Sequence, residues 1–225
     1  MNKEQAPLVA IIDYRLGNLF SVQQACVQVG LRSVITSEKK NILEADAIIL
    51  PGVGAFKDGI ESLEKLDLIT PIHSAIKSGK PFMGICLGMQ LLFSKSEEFG
   101  NWDGLDVISG SVVKFPSENA KGIKTRVPQV GWNRLSNNRD QDRWNESPLK
   151  GISENEFMYF VHSYYCKPDN SSVVLSVTQY ADMEYCSSIL IKNVFACQFH
   201  PEKSGEQGLT VYKNWAEYIQ KMKGI

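Results

Sequence analysis

Residues 81–93 read Pro-Phe-Met-Gly-Ile-Cys-Leu-Gly-Met-Gln-Leu-Leu-Phe, and this stretch decides the fold class of the chain. It opens with a short apolar run, Phe82 to Ile85, which is typical of a buried strand. Cys86 follows between Gly84 and Gly88, and the residues after it are compatible with a helix. A strand, a tight glycine-flanked turn and a helix, with a nucleophile at the apex, are the parts of a nucleophile elbow built on cysteine instead of serine.

The elbow needs this combination of residues for physical reasons. The nucleophile must stand clear of the backbone at the strand end, which forces a strained turn that only small neighbours tolerate. The helix that follows points its N-terminus at the thiol and favours the reactive thiolate. The alternative is that Cys86 is a small buried hydrophobic residue, as most free cysteines are.

The first half of the chain alternates apolar runs with helical patterns. Leu8 to Ile12 and Ala47 to Leu50 are continuous apolar runs typical of internal parallel strands. Apolar residues then recur at helical spacing from Ala55 to Leu66. This alternation predicts an α/β fold with a doubly wound, mostly parallel sheet. Functional residues of such sheets lie at the carboxyl ends of the strands, where Pro51-Gly-Val-Gly54 and Cys86 both fall.

The second half of the chain differs in character. Phe157 to Tyr165, Ser172 to Thr178 and Cys186 to Ile191 are rich in β-branched or aromatic residues, which predicts antiparallel sheet on one side of the parallel core. Asn137 to Asn145 is charged and poor in apolar residues, so we expect a mobile surface loop there. Because no repeat, low-complexity tract or linker interrupts the sequence, residues 1–225 are expected to form a single domain.

The composition argues against several classes of protein. The 24 basic and 25 acidic residues favour neither nucleic acid nor an anionic membrane as a partner. The N-terminal residues lack a signal-peptide hydrophobic region and no apolar run reaches about 18 residues, so we expect a cytoplasmic protein without a membrane segment. Five dispersed cysteines fit one functional thiol in a reducing compartment, and three scattered histidines argue against a zinc site.

A thiolate nucleophile needs a base, and the chain offers three histidines. His73 lies in a helical pattern far from any strand end, and His162 lies inside an aromatic strand, where a structural histidine is the commoner case. His200 follows the apolar strand Val194 to Phe199 and begins His-Pro-Glu. The proline restrains His200 to extended geometry, and period-two spacing would then place His200 and Glu202 on one side as an oriented imidazole–carboxylate pair. An exposed loop with a chance carboxylate is the alternative.

An acyl-transfer site also needs an oxyanion hole. The backbone N–H of Leu87, directly after the nucleophile, is one expected donor. The second is expected from Pro51-Gly-Val-Gly54, whose glycines let the backbone approach a substrate closely, although such a turn can also simply close a strand. A phosphate-binding role for this turn is weakly supported, because no Lys-Ser/Thr pair ends it.

These residues resemble a known family. The elbow Gly84-Ile-Cys-Leu-Gly-Met-Gln90 together with Gln198-Phe-His-Pro-Glu202 is similar to the class I glutamine amidotransferases, the triad-type glutaminases. Further segments are similar to the glutaminase subunits of imidazole glycerol phosphate synthases: Asp13-Tyr-Arg-Leu-Gly-Asn-Leu-Phe-Ser-Val22, Pro51-Gly-Val-Gly-Ala-Phe56, Pro128-Gln-Val-Gly-Trp-Asn133, Tyr159-Phe-Val-His-Ser-Tyr164 and His200-Pro-Glu-Lys-Ser-Gly205. The resemblance covers nearly the whole chain and implies a flavodoxin-like fold with a central, mostly parallel sheet, flanking helices and an added antiparallel sheet.

The resemblance implies a catalytic triad. Cys86 would attack the side-chain amide of L-glutamine, with His200 as base and then acid and Glu202 as the residue that orients it. Val53 and Leu87 would supply the oxyanion N–H groups. The residues implied to line the glutamine pocket are Gly54, Gln90, Val161, His162 and Ser163. By this resemblance His162 is a pocket wall and not the base.

The resemblance also implies a partner. A (β/α)8-barrel cyclase would form a heterodimer with the chain and use the released ammonia to make imidazole glycerol phosphate in histidine biosynthesis. The residues implied to face this partner are Asn18, Trp132, Tyr159 and Lys203. No metal and no cofactor is implied.

Two positions depart from the family pattern. Arg15 and Ala181 stand where the family commonly has glycine, which puts the loop near Asn18 and the turn after Tyr180 in doubt. The departures fit a known offshoot of the family, in which a similar glutaminase feeds a sugar-modifying amidotransferase in surface polysaccharide (O-antigen) synthesis. Alternatives of other classes are a binding relative without the chemistry, which the intact triad argues against, and a cysteine peptidase on the same sheet.

Overall fold

The elements of the fold follow the predicted alternation in the computed structural model, which describes residues 6–118, 122–138 and 140–224. The strands are β1 Leu8–Ile12, β2 Arg32–Thr36, β3 Ala47–Gly52, β4 Phe82–Cys86, β5 Phe93–Ser96, β6 Trp102–Asp103, β7 Ile108–Lys114, β8 Gln129–Arg134, β9 Ser136–Asn137, β10 Phe157–His162, β11 Tyr164–Pro168, β12 Val174–Tyr180, β13 Met183–Ile191 and β14 Val194–Cys197. The helices are α1 Leu19–Gln28, α2 Lys39–Glu44, α3 Phe56–Lys65, α4 Ile69–Lys77, α5 Leu87–Leu91, α6 Gln141–Asn145 and α7 Gly205–Lys223, with 3-10 turns at Ser171–Val173 and Pro201–Lys203.

The parallel core has the strand order β2-β1-β3-β4-β14. All four neighbouring pairs are parallel, and β4 is hydrogen-bonded on both sides, with Gly84 opposite Leu50 of β3 and Ala196 of β14. The mostly parallel sheet is therefore confirmed. The carboxyl ends of β3, β4 and β14 meet at one edge of the sheet, which brings the Pro51–Gly54 turn, Cys86 and the His200 segment together.

The antiparallel part continues the same sheet. Strand β13 pairs antiparallel with β14, and the sheet runs on through β11 and β7 to β5 and β6. Strand β12 pairs with β13, and β8 and β10 form a separate two-stranded antiparallel sheet. The added antiparallel sheet is thus also confirmed, and the pairing of β13 with β14 joins it directly to the strand that ends at the functional edge.

The sheet separates two apolar layers. Ala10 and Ile12 of β1 pack in one layer with residues of α3 and α4, whereas Val9 and Ile11 pack in the other with residues of α1 and α7. Both faces of the parallel strands are buried, which explains why these strands read as continuous apolar runs. Among the described residues, no helix combines the length and the apolar character needed to cross a membrane.

The prediction of a mobile loop at Asn137 to Asn145 is wrong for the described part of that segment, which excludes residue 139. The segment contains β9 and α6, and the side chain of Asp140 caps α6 by accepting a hydrogen bond from the N–H of Arg143. Trp144 is only 2% exposed and donates through Nε1 to the carbonyl of Ile152 at 3.0 Å. One buried tryptophan therefore anchors a segment whose charge suggested a loop.

The two residues that depart from the family pattern both lie in turns with positive φ. Arg15 has φ +70°, and its N–H donates to Oδ1 of Asp13 at 2.9 Å. Ala181 and Asp182 have φ +52° and +61° and connect β12 to β13 as a two-residue hairpin turn. Positive φ at both central positions is what a tight hairpin needs to match strand twist, and non-glycine residues adopt it at some cost in strain.

The first prediction concerns Gly88, where an added Cβ would lie 1.8 Å from the carbonyl oxygen of Leu50. We expect Gly88→Ala to lower the free energy of unfolding by at least about 2 kcal/mol, because the backbone at Leu50 or at residue 88 has to shift to relieve this clash. The control is Gly30→Ala, where φ is +80° but nothing lies within 4 Å, so that only about 1 kcal/mol is expected. Urea unfolding measures both, and equal losses would contradict the assigned clash.

Candidate active site

The turn at Cys86 has the geometry of a nucleophile elbow. Cys86 ends β4 with φ +54° and ψ −109°, and α5 begins at the next residue. A Cβ at Gly84 would lie 3.0 Å from that of Ala196, and Gly88 packs against the Leu50 carbonyl. The two glycines are therefore required by close contacts, as the sequence pattern predicts.

His200 and Glu202 form an oriented pair. Nδ1 of His200 lies 2.8 Å from Oε1 of Glu202, and the two side chains are only 3% and 2% exposed. The N–H of His200 donates to the Tyr159 carbonyl at 2.9 Å, and its carbonyl accepts from the hydroxyl of Ser204 at 2.7 Å. These bonds fix the backbone that carries the imidazole.

The pair forms by a different route from the one predicted. His200 is extended, with φ −102° and ψ 92°, but Pro201–Lys203 is a 3-10 turn and not a continuing extended segment. The turn, and not period-two alternation, brings the carboxylate of Glu202 back to the imidazole. The proline that restrains His200 also suits the first position of the turn, because its missing N–H has no partner to lose there.

The charges of the site decide the protonation of His200. Burial by itself would lower the pKa of His200, but attraction to a negatively charged Cys86 and to Glu202 outweighs burial and raises the pKa to about 10. Nε2 of His200 is buried and faces Cys86, whose sulfur contributes to the raised pKa of His200. The arrangement therefore favours the imidazolium form of His200 at neutral pH.

A cavity of about 480 Å³ opens at Cys86. Eight residues predicted from the sequence line it, namely Val53, Gly54, Cys86, Leu87, Gln90, Val161, His162 and Ser163. Tyr159 and Lys203, predicted to face a partner, line it as well. His200 and Glu202 lie behind Cys86 and not in the lining. The structure thus gathers the predicted pocket residues around one thiol, and their individual roles stay predictions.

His162 is a buried wall of this cavity. Its Nδ1 lies 2.8 Å from the carbonyl oxygen of Tyr164, and its Nε2 lies 3.3 Å from the hydroxyl of Tyr185. Burial lowers the pKa of His162 to about 4, so the ring is neutral at physiological pH. Because Nδ1 faces an obligate acceptor, it carries the proton, and the geometry gives His162 no route to the role of base.

The expected oxyanion donors, Val53 and Leu87, both line the cavity at Cys86. Gly52 is in register with Cys86 on the neighbouring strand, so the turn that follows it, with Val53 and Gly54, borders the nucleophile. Val53 is 40% exposed and Gly54 has φ +119°, a conformation that glycine adopts without strain. Leu87 is the first residue of α5, where a backbone N–H has no partner within the helix.

The residues predicted to face a partner differ in whether they line the cavity. Trp132 is 56% exposed and packs edge-on against Tyr159, its register partner, with ring centroids 6.1 Å apart. Lys203 is exposed at the cavity. Asn18 is exposed and caps α1 by accepting from the N–H of Ser21 at 3.3 Å, and it does not line the cavity. Their contact with a partner stays a prediction.

Two residues at the site were given no role by the sequence, although Gln198 belongs to the motif Gln198-Phe-His-Pro-Glu202. Glu98 is 9% exposed, lines the cavity and accepts a hydrogen bond from the N–H of Phe56 at 2.6 Å. Gln198 is fully buried and reaches the sulfur of Cys86. Glu98 lies two residues after β5, in a polar stretch that the sequence suggests is irregular. Gln198 directly follows β14 and precedes Phe199 and the His-Pro-Glu motif.

A second cavity of about 490 Å³ lies beside α7 and the β13–β14 turn, and it contains no cysteine or histidine in its lining. Within residues 6–118, 122–138 and 140–224, no three His, Cys, Asp or Glu side chains are grouped as a metal ion would require. The chemistry of the described chain is therefore concentrated at the cavity of Cys86.

Comparison with known proteins agrees with this geometry. The family model for glutamine amidotransferase class-I matches residues 10–217. The chain belongs to the class-I glutamine amidotransferase family. Within this family it is 44% identical over 209 residues to the imidazole glycerol phosphate synthase subunit HisH of Geobacter metallireducens, covering 92% of this chain and 97% of the relative. It is 46% identical over 213 residues to subunit HisH of Caldanaerobacter subterraneus, covering 95% and 99%.

Solved structures support the same class I fold. PurLQS from Thermotoga maritima superposes with a TM-score of 0.70 at 20% identity, covering 95% of this chain and 99% of that chain. A further glutamine amidotransferase superposes with a TM-score of 0.68 at 17% identity, covering 96% and 99%. At 17% and 20% identity, these superpositions show only that the chain has the fold of a glutamine amidotransferase. The HisH relatives, at 44% and 46% identity, indicate the subfamily to which the chain is similar.

The ion pair generates the second prediction. We expect Cys86→Ala to lower the pKa of His200 from about 10, because burial still disfavours the imidazolium while the sulfur charge that favoured it is gone. Titration of the ring C–H resonances by NMR measures the change, with Cys26→Ala, a buried cysteine on α1, as the matched control. A His200 titration that is the same in both variants contradicts the assignment.

Proposed function

We propose that this chain is a glutaminase subunit that hydrolyses L-glutamine to glutamate and ammonia and passes the ammonia to a cyclase subunit. The observation that carries the proposal is the placement of Cys86 at an elbow beside a buried His200–Glu202 pair, in a chain of the class-I glutamine amidotransferase family. Relatives more than 40% identical over more than 90% of the chain are named imidazole glycerol phosphate synthase subunit HisH.

In the first half of the reaction, the Cys86 sulfur attacks the carboxamide carbon of glutamine. The carbonyl oxygen becomes an oxyanion, for which the N–H groups of Leu87 and Val53 are the donors. His200, protonated beside the thiolate, gives its Nε2 proton to the leaving nitrogen, the C–N bond breaks and ammonia departs. The product is a thioester between Cys86 and the glutamyl group.

In the second half, His200 is neutral and acts as a base. It takes a proton from a water molecule, whose oxygen attacks the thioester carbon through a second oxyanion. The C–S bond breaks, glutamate leaves and the thiolate–imidazolium pair is restored. Glu202 holds Nδ1 of His200 throughout, which keeps Nε2 directed at the reacting atoms.

The cavity suits a small zwitterionic amino acid amide. Glu98 provides a carboxylate in the wall for an α-ammonium group, and Gln90, His162 and Ser163 line the same space. The hydrogen bond from Phe56 fixes the orientation of the Glu98 carboxylate. A carboxylate in the wall favours a substrate with a free amino group over a peptide, which argues against the peptidase hypothesis.

The ammonia needs an acceptor outside this chain, and we propose a (β/α)8-barrel cyclase that binds as a heterodimer over the cavity mouth. Tyr159 and Lys203 line the cavity, and Trp132 stands exposed next to Tyr159. The free state of all five cysteines is compatible with the cytoplasmic location that we propose. We also propose that the chain is one domain, because one sheet joins its parallel and antiparallel parts.

The alternative acceptor, a sugar-modifying amidotransferase in surface polysaccharide synthesis, is not favoured. The curated relatives at 42% to 46% identity carry the name of the imidazole glycerol phosphate synthase subunit HisH. Arg15 and Ala181, the residues that motivated the alternative, both adopt positive φ in their turns.

Glutamate release tests the proposal. With the cyclase subunit of an imidazole glycerol phosphate synthase present, the chain is expected to release glutamate from glutamine, and Cys86→Ala to reduce the rate by at least about 10⁴-fold, because the covalent route is lost. Cys26→Ala, remote from the cavity, is the matched control and should retain wild-type activity. Glutamate release that survives Cys86→Ala rules out the proposed mechanism, and release without imidazole glycerol phosphate formation rules out the proposed acceptor.

Glu98 gives a prediction about substrate recognition. We expect Glu98→Gln to raise KM for glutamine by about ten-fold or more with a smaller change in kcat, because a charge-assisted contact to the α-ammonium is lost while the triad is untouched. Glu97→Gln, one residue away and outside the cavity lining, is the control. Steady-state kinetics of the complex measures both, and an unchanged KM in Glu98→Gln removes the residue from the recognition site.

A further inference from the structure

The side chain of Gln198 lies between the nucleophile and the wall of the cavity, and the mechanism above does not use it. Gln198 is fully buried directly after β14. Its Nε2 lies 3.5 Å from the sulfur of Cys86, and its Oε1 lies 3.0 Å from Nε2 of Gln90. Its backbone N–H donates to the Ser187 carbonyl at 2.9 Å, so the neighbouring strand β13 holds the residue in place.

The direction of these hydrogen bonds is fixed by a backbone carbonyl. Nε2 of Gln90 lies 3.1 Å from the carbonyl oxygen of Tyr164, which only accepts, so the Gln90 nitrogen must face it. The same nitrogen faces Gln198, which must therefore present its oxygen to Gln90. The Gln198 nitrogen is left for the sulfur. This series of hydrogen bonds thus ends with the side-chain N–H of Gln198, which points at the sulfur of Cys86.

We propose that Gln198 is a further residue of the catalytic machinery, which stabilises the Cys86 thiolate through its Nε2–H and holds Gln90 so that only the Gln90 carbonyl oxygen faces the substrate. Both N–H groups of Gln90 are taken up by Tyr164 and Gln198. The remaining acceptor selects a ligand that brings an N–H donor, such as the ammonium or carboxamide group of an amino acid amide. This second role rests on the proposed function, whereas the first does not.

Two contacts of the Cys86 sulfur favour opposite protonation states, and their distances show which contact is the stronger. The carbonyl of Val161 lies 3.9 Å from Sγ and would accept a hydrogen bond from a thiol, which favours the protonated form. The amide N–H of Gln198 at 3.5 Å donates to sulfur and favours the thiolate. The shorter contact, made by a stronger donor than S–H, favours the thiolate, in the same direction as the imidazolium of His200.

Replacing Gln198 with a neutral residue does not change the charged and ionisable groups that interact with Cys86. They are His200 and Glu202 after β14, Tyr14 after β1, Cys197 of β14 and Cys166 of β11. Gln198 is uncharged, so replacing it with another neutral residue leaves the charges around the sulfur unaltered. A change in thiolate population then reports the hydrogen bond itself.

Alkylation of Cys86 by iodoacetamide tests the first role in the full chain without glutamine or partner. Gln198→Met keeps a similar volume and removes the donor. The expected result is an about ten-fold lower rate of Cys86 alkylation at pH 7, with the midpoint of the pH profile about one pH unit higher, as peptide mass spectrometry of the Cys86 site measures it. Gln179→Met, the same change at an exposed residue of β12, should leave the profile unchanged.

A second variant, Gln198→Glu, separates stabilisation of the thiolate from positioning of Gln90. It also provides a test if Gln198→Met does not fold. Gln198→Glu keeps the shape and an acceptor for Gln90 but replaces the amide donor with a carboxyl group that competes with the sulfur for negative charge. In the complex with the cyclase subunit, we expect Gln198→Met to raise KM for glutamine and lower kcat, and Gln198→Glu to lower kcat with KM within about two-fold of wild type.

The outcomes distinguish this inference from the proposed function. An alkylation profile that is unchanged in Gln198→Met, while thermal unfolding shifts, makes Gln198 a structural residue and overturns the inference. A shifted profile in a wild-type chain that releases no glutamate removes the proposed function and leaves the thiolate role standing. A shifted profile with unchanged KM in Gln198→Met removes the role of positioning Gln90.

Discussion

The strained turn at Cys86 is the constraint on which the rest of the structure depends. A non-glycine residue with φ +54° costs about 1–3 kcal/mol and persists only when its surroundings leave no alternative. Here β4 is hydrogen-bonded between β3 and β14, and Gly88 packs against the backbone of Leu50. The central position of β4 in the parallel sheet therefore holds the nucleophile in place.

The same placement sets the electrostatics of the site. Burial disfavours the charged form of His200, and its charge is stable only because Cys86 and Glu202 are arranged around it. Each partner compensates the desolvation of the other, so removal of one leaves an uncompensated buried charge. Neutral groups contribute as well. The amide of Gln198 donates to the sulfur, and its orientation follows from one backbone carbonyl, that of Tyr164.

The separate two-stranded sheet of β8 and β10 supplies part of the wall of the cavity and an outward surface. Strand β10 places His162 inward, where it is buried and neutral, while Tyr159 lies at the cavity next to the exposed Trp132 of β8. Residues of β10 thus line the cavity, and Tyr159 connects the lining to the exposed aromatic surface at Trp132. The Ser204 hydroxyl donates to the His200 carbonyl and accepts from the Tyr159 N–H, which ties this strand to the triad.

Local patterns in the sequence determined the parallel strands, the elbow and the pairing of His200 with Glu202, because each depends on residues close together in the chain. The route to that pair was misjudged, since a 3-10 turn replaced the expected extended segment. The sequence assigned no role to Trp144 and Glu98, and it placed Gln198 in a motif without indicating its contact with the sulfur. Their roles come from contacts with residues 8, 42 and 112 positions away, and only the packed tertiary structure brings those partners within hydrogen-bond distance. The sequence therefore determined which residues are predicted to carry the reaction, and the tertiary structure decided which neutral and charged groups surround the sulfur.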